Sequence, residues 1–381
     1  MEEPLTSASA GSSTNTYFPS LTGIRAVAAS MVFFHHYNPF KESLFGKFLH
    51  DSVGEFHVGV TIFFVLSGFL ICYRYHDTAS FKKYWLWSYF VNRFGRIYPM
   101  YFIVTIFVFL PFACHCVFAD NVKLFLLNIT FLRGLFDEYK FTGAATGWSL
   151  TVEEMFYFLF PLMILASRKI KLIFQPLLFI AAGLLLWIIF RNISFHGFFS
   201  TLQFLFEFTF FGRCVEFYTG IFLALYIKRR RDRLLPKKGY YRTAGGLLWM
   251  AACISFLVIN RQHSKDPGVF LFYETLLNNF LLPPGIALLF YGLITERSFV
   301  RKLLESGVFV VLGKSSYVFY LIHNGPLFAF LYFNLYQKLE LVFILMQGIA
   351  LLLFILVERP LNTIIRRKFL HRYPSGVLKI S

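Results

Sequence analysis

Long, nearly uninterrupted apolar blocks constrain this chain more than any motif does. Blocks such as 58–73 (VGVTIFFVLSGFLICY) and 339–357 (LELVFILMQGIALLLFILV) recur along it. About 20 apolar residues are what an α-helix needs to cross the hydrocarbon core of a bilayer. In lipid a helix satisfies its own backbone groups, which an isolated strand cannot do. The expected fold class is therefore all-α, a polytopic integral membrane protein embedded in a lipid bilayer. Of the 381 residues, 57% are hydrophobic and only 15% charged, against about 25% charged in soluble domains.

The apolar pattern predicts about ten transmembrane helices, at 22–38, 58–73, 98–118, 148–166, 172–190, 202–227, 244–259, 272–294, 307–333 and 339–357. Their loops alternate in charge. The loops after the even-numbered spans, with the C-terminal tail, hold 25 of the 37 Lys and Arg residues, and the loops after the odd-numbered spans hold 9. By the positive-inside rule both termini are cytoplasmic. The net charge of +17 is thus a topology signal, most concentrated in the stretch 228–242 (KRRRDRLLPKKGYYR), and nucleic acid is excluded as a partner.

Residues 1–20 are polar, rich in Ser and Thr, and carry Glu2 and Glu3 in place of the basic start of a signal peptide. They are expected to form a disordered cytoplasmic tail. A membrane domain at 21–360 and a basic cytoplasmic tail at 361–381 complete the organisation. The five cysteines, Cys72, Cys114, Cys116, Cys214 and Cys253, match no disulfide framework or zinc spacing. Three adjacent residues of Cys114-His115-Cys116 cannot all face one ion from a helix, and no metal site is expected.

Charged side chains inside a bilayer are costly, so those that occur call for a partner or a function. In the first span (LTGIRAVAASMVFFHHYNP) eleven residues separate Arg25 from His36. Eleven residues make almost three helical turns, so the two project from one stripe, about 16 Å apart along the axis. His35 lies about 80° off that stripe. Arg93 and Arg96, in YFVNRFGRIYPMY with Tyr98, share a helix face in the loop after the second span, where two guanidiniums can clamp a phosphate or pyrophosphate. The fourth span opens GWSLTVEEMFYFLFP, with Trp148 at its start. Ser149 and Glu153 share a face, while Thr151 and Glu154 have capping-box spacing. The sixth span carries Arg213 and Glu216 at ion-pair spacing, and Glu207 without an evident partner. The ninth carries His323 seven residues after Ser316. Ionisable residues thus gather in spans one, four, six and nine, which suggests a polar cavity ringed by lipid-facing helices.

In order along the chain, these motifs resemble those of the acyltransferase-3 family of membrane O-acyltransferases. LTGIRAVAASMVFFHHY looks like its N-terminal signature of a cation, ten residues and a histidine. VGVTIFFVLSGFLI resembles its second-helix motif, NRFGRIYPMY its Arg-x-x-Arg motif and GWSLTVEEMFYFLFP its Ser-x-x-x-Glu motif. SSYVFYLIH and VERP are similar to its C-terminal helices.

The resemblance spans about 20–360. It implies transfer of an acyl group, acetyl first among candidates, from cytoplasmic acyl-CoA to hydroxyls of surface or exported carbohydrate, with the protein in a bacterial inner (plasma) membrane. It implies Arg25, His36, Ser149 and Glu153 as the catalytic set, with Arg93 and Arg96 on the donor side. His35, His323, Tyr98 and Trp148 are further substrate-binding candidates. The doubled His35-His36 departs from the family pattern; ungapped spacing selects His36, and a one-residue shift would select His35. Acetyl-CoA would be a co-substrate, and no cofactor is expected to be bound permanently. Some relatives carry a further soluble domain, which is not expected here. Three other readings remain, a transporter or flippase of a lipid-linked sugar or polar metabolite, a non-catalytic scaffold, and a different membrane acyltransferase architecture, the one that modifies lipids and proteins, against which the ordered motifs speak. The first predicts inverted repeats with paired broken helices, which the sequence does not display; the second gives the Arg25–His36 stripe no purpose.

Overall fold

A computed structural model describes residues 17–110, 118–230, 236–263 and 267–370. The tail 1–16, the end of the chain from 371, and Cys114, His115 and Cys116 lie outside the described residues. Within them the chain is all-helical, without a named β-strand; two isolated bridges, Phe136 with Phe198 and Lys237 with Glu296, are the extended pairings.

The helices are α1 (Pro19–His36), α2 (Lys47–Gly54), α3 (Val58–Tyr75), α4 (Lys83–Phe109), α5 (Phe118–Ile129), α6 (Trp148–Ala166), α7 (Gln175–Phe190), α8 (Leu202–Phe208), α9 (Phe210–Arg229), α10 (Tyr241–His263), α11 (Pro267–Thr275), α12 (Leu282–Thr295), α13 (Phe299–Leu304), α14 (Gly307–Ile322), α15 (Pro326–Phe330), α16 (Leu339–Leu353) and α17 (Arg359–Leu370). Wider π-helical turns at Leu276–Leu281 and Phe354–Glu358 join α11 to α12 and α16 to α17.

Six helical stretches are long and apolar enough to cross a membrane, and a seventh if the bent pair Gly307–Ile322 and Pro326–Leu335 is one span. They fall on the expected second, fourth, sixth, seventh, eighth, tenth and (bent) ninth spans. The expected first and fifth, and the described residues 98–110 of the third, are helical as well but are not long and apolar enough among the described residues. α7 is only 16 residues long, and α1 carries Arg25, His35 and His36 within 18 residues. In place of a third span starting at 98, α4 begins at Lys83, so Arg93 and Arg96 lie inside a helix instead of a loop.

Sequence chemistry explains the breaks. The expected sixth span is interrupted at Thr209, whose backbone is extended (φ −117°, ψ 155°) and whose hydroxyl donates to the Leu205 carbonyl at 2.6 Å. The ninth turns by 85° after α14, where Asn324-Gly325 is followed by Pro326, a residue that starts a helix well and cannot continue one. The capping box expected at Thr151 and Glu154 does not form. α6 starts three residues earlier, at Trp148, and the Thr151 hydroxyl donates to the Phe131 carbonyl at 2.8 Å instead.

α3 and α9 cross at the centre, backbone to backbone. A Cβ on Gly68 would strike the Phe217 carbonyl, and one on Gly220 the Val65 carbonyl; small residues permit such approaches in membrane bundles. α1 packs against α3 on one side and α14 on the other. Gly313 of α14 sits directly over the Thr22 carbonyl of α1. Exposed Leu and Ile side chains cover α7 and α16 (Leu177, Leu185, Ile188, Ile344, Leu352), as lipid-facing helices require.

Candidate functional site

The contact of Gly313 with α1 brings Arg25 against α14, where its Nε donates to Ser316 Oγ at 3.2 Å. Three turns further along α1, the His36 ring lies 5.4 Å from that of His323, the residue that ends α14. The predicted stripe therefore exists as geometry, and both of its members face one partner helix. His36 is exposed at the end of α1, whereas His323 is fully buried. His323 Nδ1 faces the Tyr320 carbonyl at 2.8 Å. A carbonyl only accepts, so Nδ1 carries the proton and a neutral ring presents Nε2 as an acceptor. That buried Nε2 has no hydrogen-bond partner.

Ser149 joins this end through Tyr320. Their hydroxyls are 2.7 Å apart, and Ser149 Oγ also donates to the Thr146 carbonyl at 3.0 Å. Glu153, one turn along α6, accepts from the hydroxyls of Ser67 and Tyr157. Its charged neighbour is Arg25, and no hydrogen bond among the described residues joins it to His36. Ser149 and Glu153 therefore share a helix face but serve different ends of the seam.

Arg93 and Arg96 part company despite their spacing. Arg93 is buried, its guanidinium over the rings of Tyr75 (5.6 Å) and Tyr157 (5.7 Å), with Nε unpartnered. Arg96 is half-buried, and its charge acts on Arg25 and Glu358. Two cations, Arg25 and Arg96, thus meet two carboxylates, Glu153 and Glu358, at the Arg25 end of the seam. Tyr98 stacks between Phe94 (4.5 Å) and Phe102 (5.8 Å) on another side of α4. Trp148 stands edge-on to Phe208 at 4.9 Å.

His35 points away from the seam. Its Nδ1 meets the Gly54 carbonyl at 2.5 Å, and its ring lies 4.9 Å from His36 and 5.4 Å from His57. His57 precedes α3, and its Nε2 contacts Asn278 Nδ2 at 3.1 Å. Arg213 pairs with Glu216 at 2.9 Å and also donates to Thr61 Oγ1 and Asn279 Oδ1; the ion pair expected from spacing is present.

Several residues of the site escaped the sequence reading. Ser67, Tyr157 and Tyr320 are ordinary-looking hydroxyls in apolar runs, and only tertiary packing gives them partners. Glu358 had a visible signal, a carboxylate at the end of a span in VERP. Arg133 falls between the expected third and fourth spans, yet it is fully buried, donating from Nη2 to the Ala144 carbonyl at 2.7 Å while Nε and Nη1 lack partners.

Comparison with known proteins identifies the architecture. Residues 18–358 match the family model described as an acyltransferase domain, Acyl_transf_3. A Staphylococcus aureus (strain COL) protein named "Putative O-acetyltransferase" is 26% identical over 336 residues, 81% of this chain and 50% of that one. A Listeria monocytogenes peptidoglycan O-acetyltransferase is 28% identical over 171 residues, 40% of this chain and 25% of that one. The chain spans about half the length of the first of these relatives. No solved structure matches. With the domain match running from the start of α1 to Glu358, through every element of the seam, the chain belongs to the acyltransferase-3 family.

Proposed function

We propose that this protein is a membrane O-acyltransferase that moves an acyl group, acetyl, from cytoplasmic acyl-CoA to a hydroxyl of a surface or exported carbohydrate. The observation that carries the reading is the shared address of Arg25 and His36: one stripe of α1, one partner helix, about 16 Å apart. The family match and the names of the relatives support the acyl-transfer chemistry.

The two ends divide the work. Arg25 and Arg96, with Glu153 and Glu358 as their resting counter-charges, suit the phosphates of an acyl-CoA donor, since guanidiniums bind phosphate oxygens in charge-assisted pairs. The extended pantetheine arm would run along the seam and carry the thioester toward His36. There His36 takes the proton of the acceptor hydroxyl as its oxygen attacks the thioester carbonyl. The C–O bond forms, the C–S bond breaks, and the CoA thiolate leaves and is protonated from water. The unpartnered Nε2 of His323 and the Ser149–Tyr320 hydroxyl pair are available to orient the acceptor or the imidazole.

The donor side of the reaction is assigned to the cytoplasm on the basic-loop asymmetry of the sequence. Deleting the gene and comparing the ester content of surface glycans by mass spectrometry tests the reading. Loss of O-acetyl esters, restored by the wild-type chain, is expected. An unchanged ester profile would remove it.

A further inference from the structure

The short turn Ala145–Gly147, which leads into α6, meets the end of α14 through one residue, Thr146. Thr146 is 3% exposed. Its hydroxyl donates to the Tyr320 carbonyl at 3.0 Å. Its own carbonyl lies 3.0 Å from Ser149 Oγ and 3.2 Å from the Tyr320 hydroxyl. The Tyr320 carbonyl is among the last four of α14, the ones a helix leaves without an intrahelical partner. His323 Nδ1 donates to the same oxygen at 2.8 Å. Two donors, Thr146 and His323, therefore meet on one carbonyl, which has two lone pairs to receive them.

The turn itself is held in place. Arg133 Nη2 and the Gly147 N–H both donate to the Ala144 carbonyl, at 2.7 and 2.8 Å. Gly147 leaves room for the guanidinium, since a Cβ there would strike Arg133 Nη2. Counting protons shows what the turn does to the two hydroxyls. Ser149 and Tyr320 bring two hydroxyl protons to three contacts, the third being their own at 2.7 Å. One proton lies between the two oxygens, and the other goes to the Thr146 carbonyl. Neither hydroxyl keeps a proton to give, so the pair can only accept from a further group. His323 Nε2, buried and without a partner, is an acceptor as well. Without the Thr146 hydroxyl, the Tyr320 carbonyl would keep His323 as a donor but lose its tie to the turn.

We propose that Thr146 is a positioning residue of the transfer site. Its hydroxyl fixes the Tyr320 carbonyl that holds the His323 imidazole in its Nδ1–H form, and its carbonyl keeps the Ser149–Tyr320 pair as acceptors for sugar hydroxyls. The effect on catalysis rests on the acyltransferase reading; the hold on His323 does not. No hydrogen bond among the described residues joins Thr146 to His36, so Thr146 acts through Tyr320 and His323. A buried hydroxyl that meets its acceptor at 3.0 Å is lost in valine, which has the same branching, and kept in serine, which lacks only the methyl group.

The full chain, with isotopically labelled histidine nitrogens and in lipid bilayers, is studied by solid-state NMR; the His323 signals are those that vanish in His323→Ala. The wild type shows His323 as a neutral ring protonated at Nδ1. Thr146→Val turns it into a mixture of tautomers or displaces its signals, whereas Thr146→Ser keeps the wild-type pattern. Thr146→Ala takes the place of the valine variant if that one does not fold. Transfer of labelled acetyl from acetyl-CoA is measured in parallel. Thr146→Val lowers kcat roughly fivefold to tenfold, the worth of one hydrogen bond, with KM for acetyl-CoA unchanged, and Thr146→Ser recovers most of the loss. Thr146→Val/His323→Ala is no slower than His323→Ala alone, because the two act as one unit. Unaltered His323 signals in Thr146→Val, or a loss that multiplies with that of His323→Ala, overturns the proposal. A chain whose His323 signals respond to Thr146 in this way yet which acetylates no glycan keeps the hold on His323 and loses the enzymatic reading.

Discussion

The rings of His36 and His323 lie 5.4 Å apart although they belong to opposite ends of the chain. One closes the first helix; the other closes α14 just before its 85° turn. Because His323 Nδ1 is engaged by the Tyr320 carbonyl, its free Nε2 is the atom through which it can act on a bound substrate or on His36. His323→Ala is expected to lower kcat for acetyl transfer by about a hundredfold, the lower end of the range for general acid–base groups, with little change in KM for acetyl-CoA. A change confined to that KM would reassign His323 to donor binding.

Arg25 tests the other end. Hydrogen bonds to charged groups contribute about 1.5–3 kcal/mol, which corresponds to roughly tenfold to hundredfold in affinity. Arg25→Ala should raise the Kd for acetyl-CoA by that order, measured by calorimetry on the detergent-purified chain. Arg25→Lys should recover only part of the loss, because an ammonium lacks the planar fork. Unchanged donor affinity in both variants would move the phosphates away from Arg25.

The buried pair Arg213–Glu216 is assigned to stability instead of chemistry. Removing one member of a buried pair costs about 3–5 kcal/mol, whereas replacing both by apolar residues is often neutral. Arg213→Leu should therefore lower the apparent Tm in detergent sharply, and Arg213→Leu/Glu216→Leu should restore much of it. Thermal unfolding of the two variants decides this.

Glu296, just beyond α12, caps the start of α10. Its carboxylate accepts from the backbone N–H groups of Arg242 and Thr243 and from the Thr243 hydroxyl, at 2.8–2.9 Å. Burial works to raise its pKa, but these donors together hold it below the usual carboxylate range. A depressed carboxyl stabilises the fold above its unfolded pKa, near 4.3, and loses that contribution as pH falls through the folded value. Glu296→Gln should cost about 1–2 kcal/mol at pH 7, in the range of helix caps. It should also flatten the fall in Tm between pH 5 and 3. Parallel Tm–pH profiles for both proteins would contradict the assignment.

How much of this could be read from residues alone depended on whether the signal was local. α6 starts and ends where the apolar block 148–166 does, and the Arg25–His36 stripe follows from helical geometry once α1 is a helix. The side to which the stripe turns depends on Gly313 meeting Thr22 across 291 residues of sequence, a contact without periodicity. For the same reason the shared face of Ser149 and Glu153 does not reveal that Ser149 meets Tyr320 while Glu153 neighbours Arg25. Arg93 and Arg96 looked like one clamp until packing drew Arg93 between two tyrosines. Arg133 was hidden because a long mixed loop gives no period from which burial can be inferred.

The central claim is that His36 performs the proton transfer on the acceptor hydroxyl. The most direct measurement is transfer of radiolabelled acetyl from acetyl-CoA to glycan by the reconstituted His36→Ala chain, alongside a wild type of equal amount and equal Tm. The account predicts a fall of at least about 100-fold with donor binding retained. Transfer at the wild-type rate would contradict it.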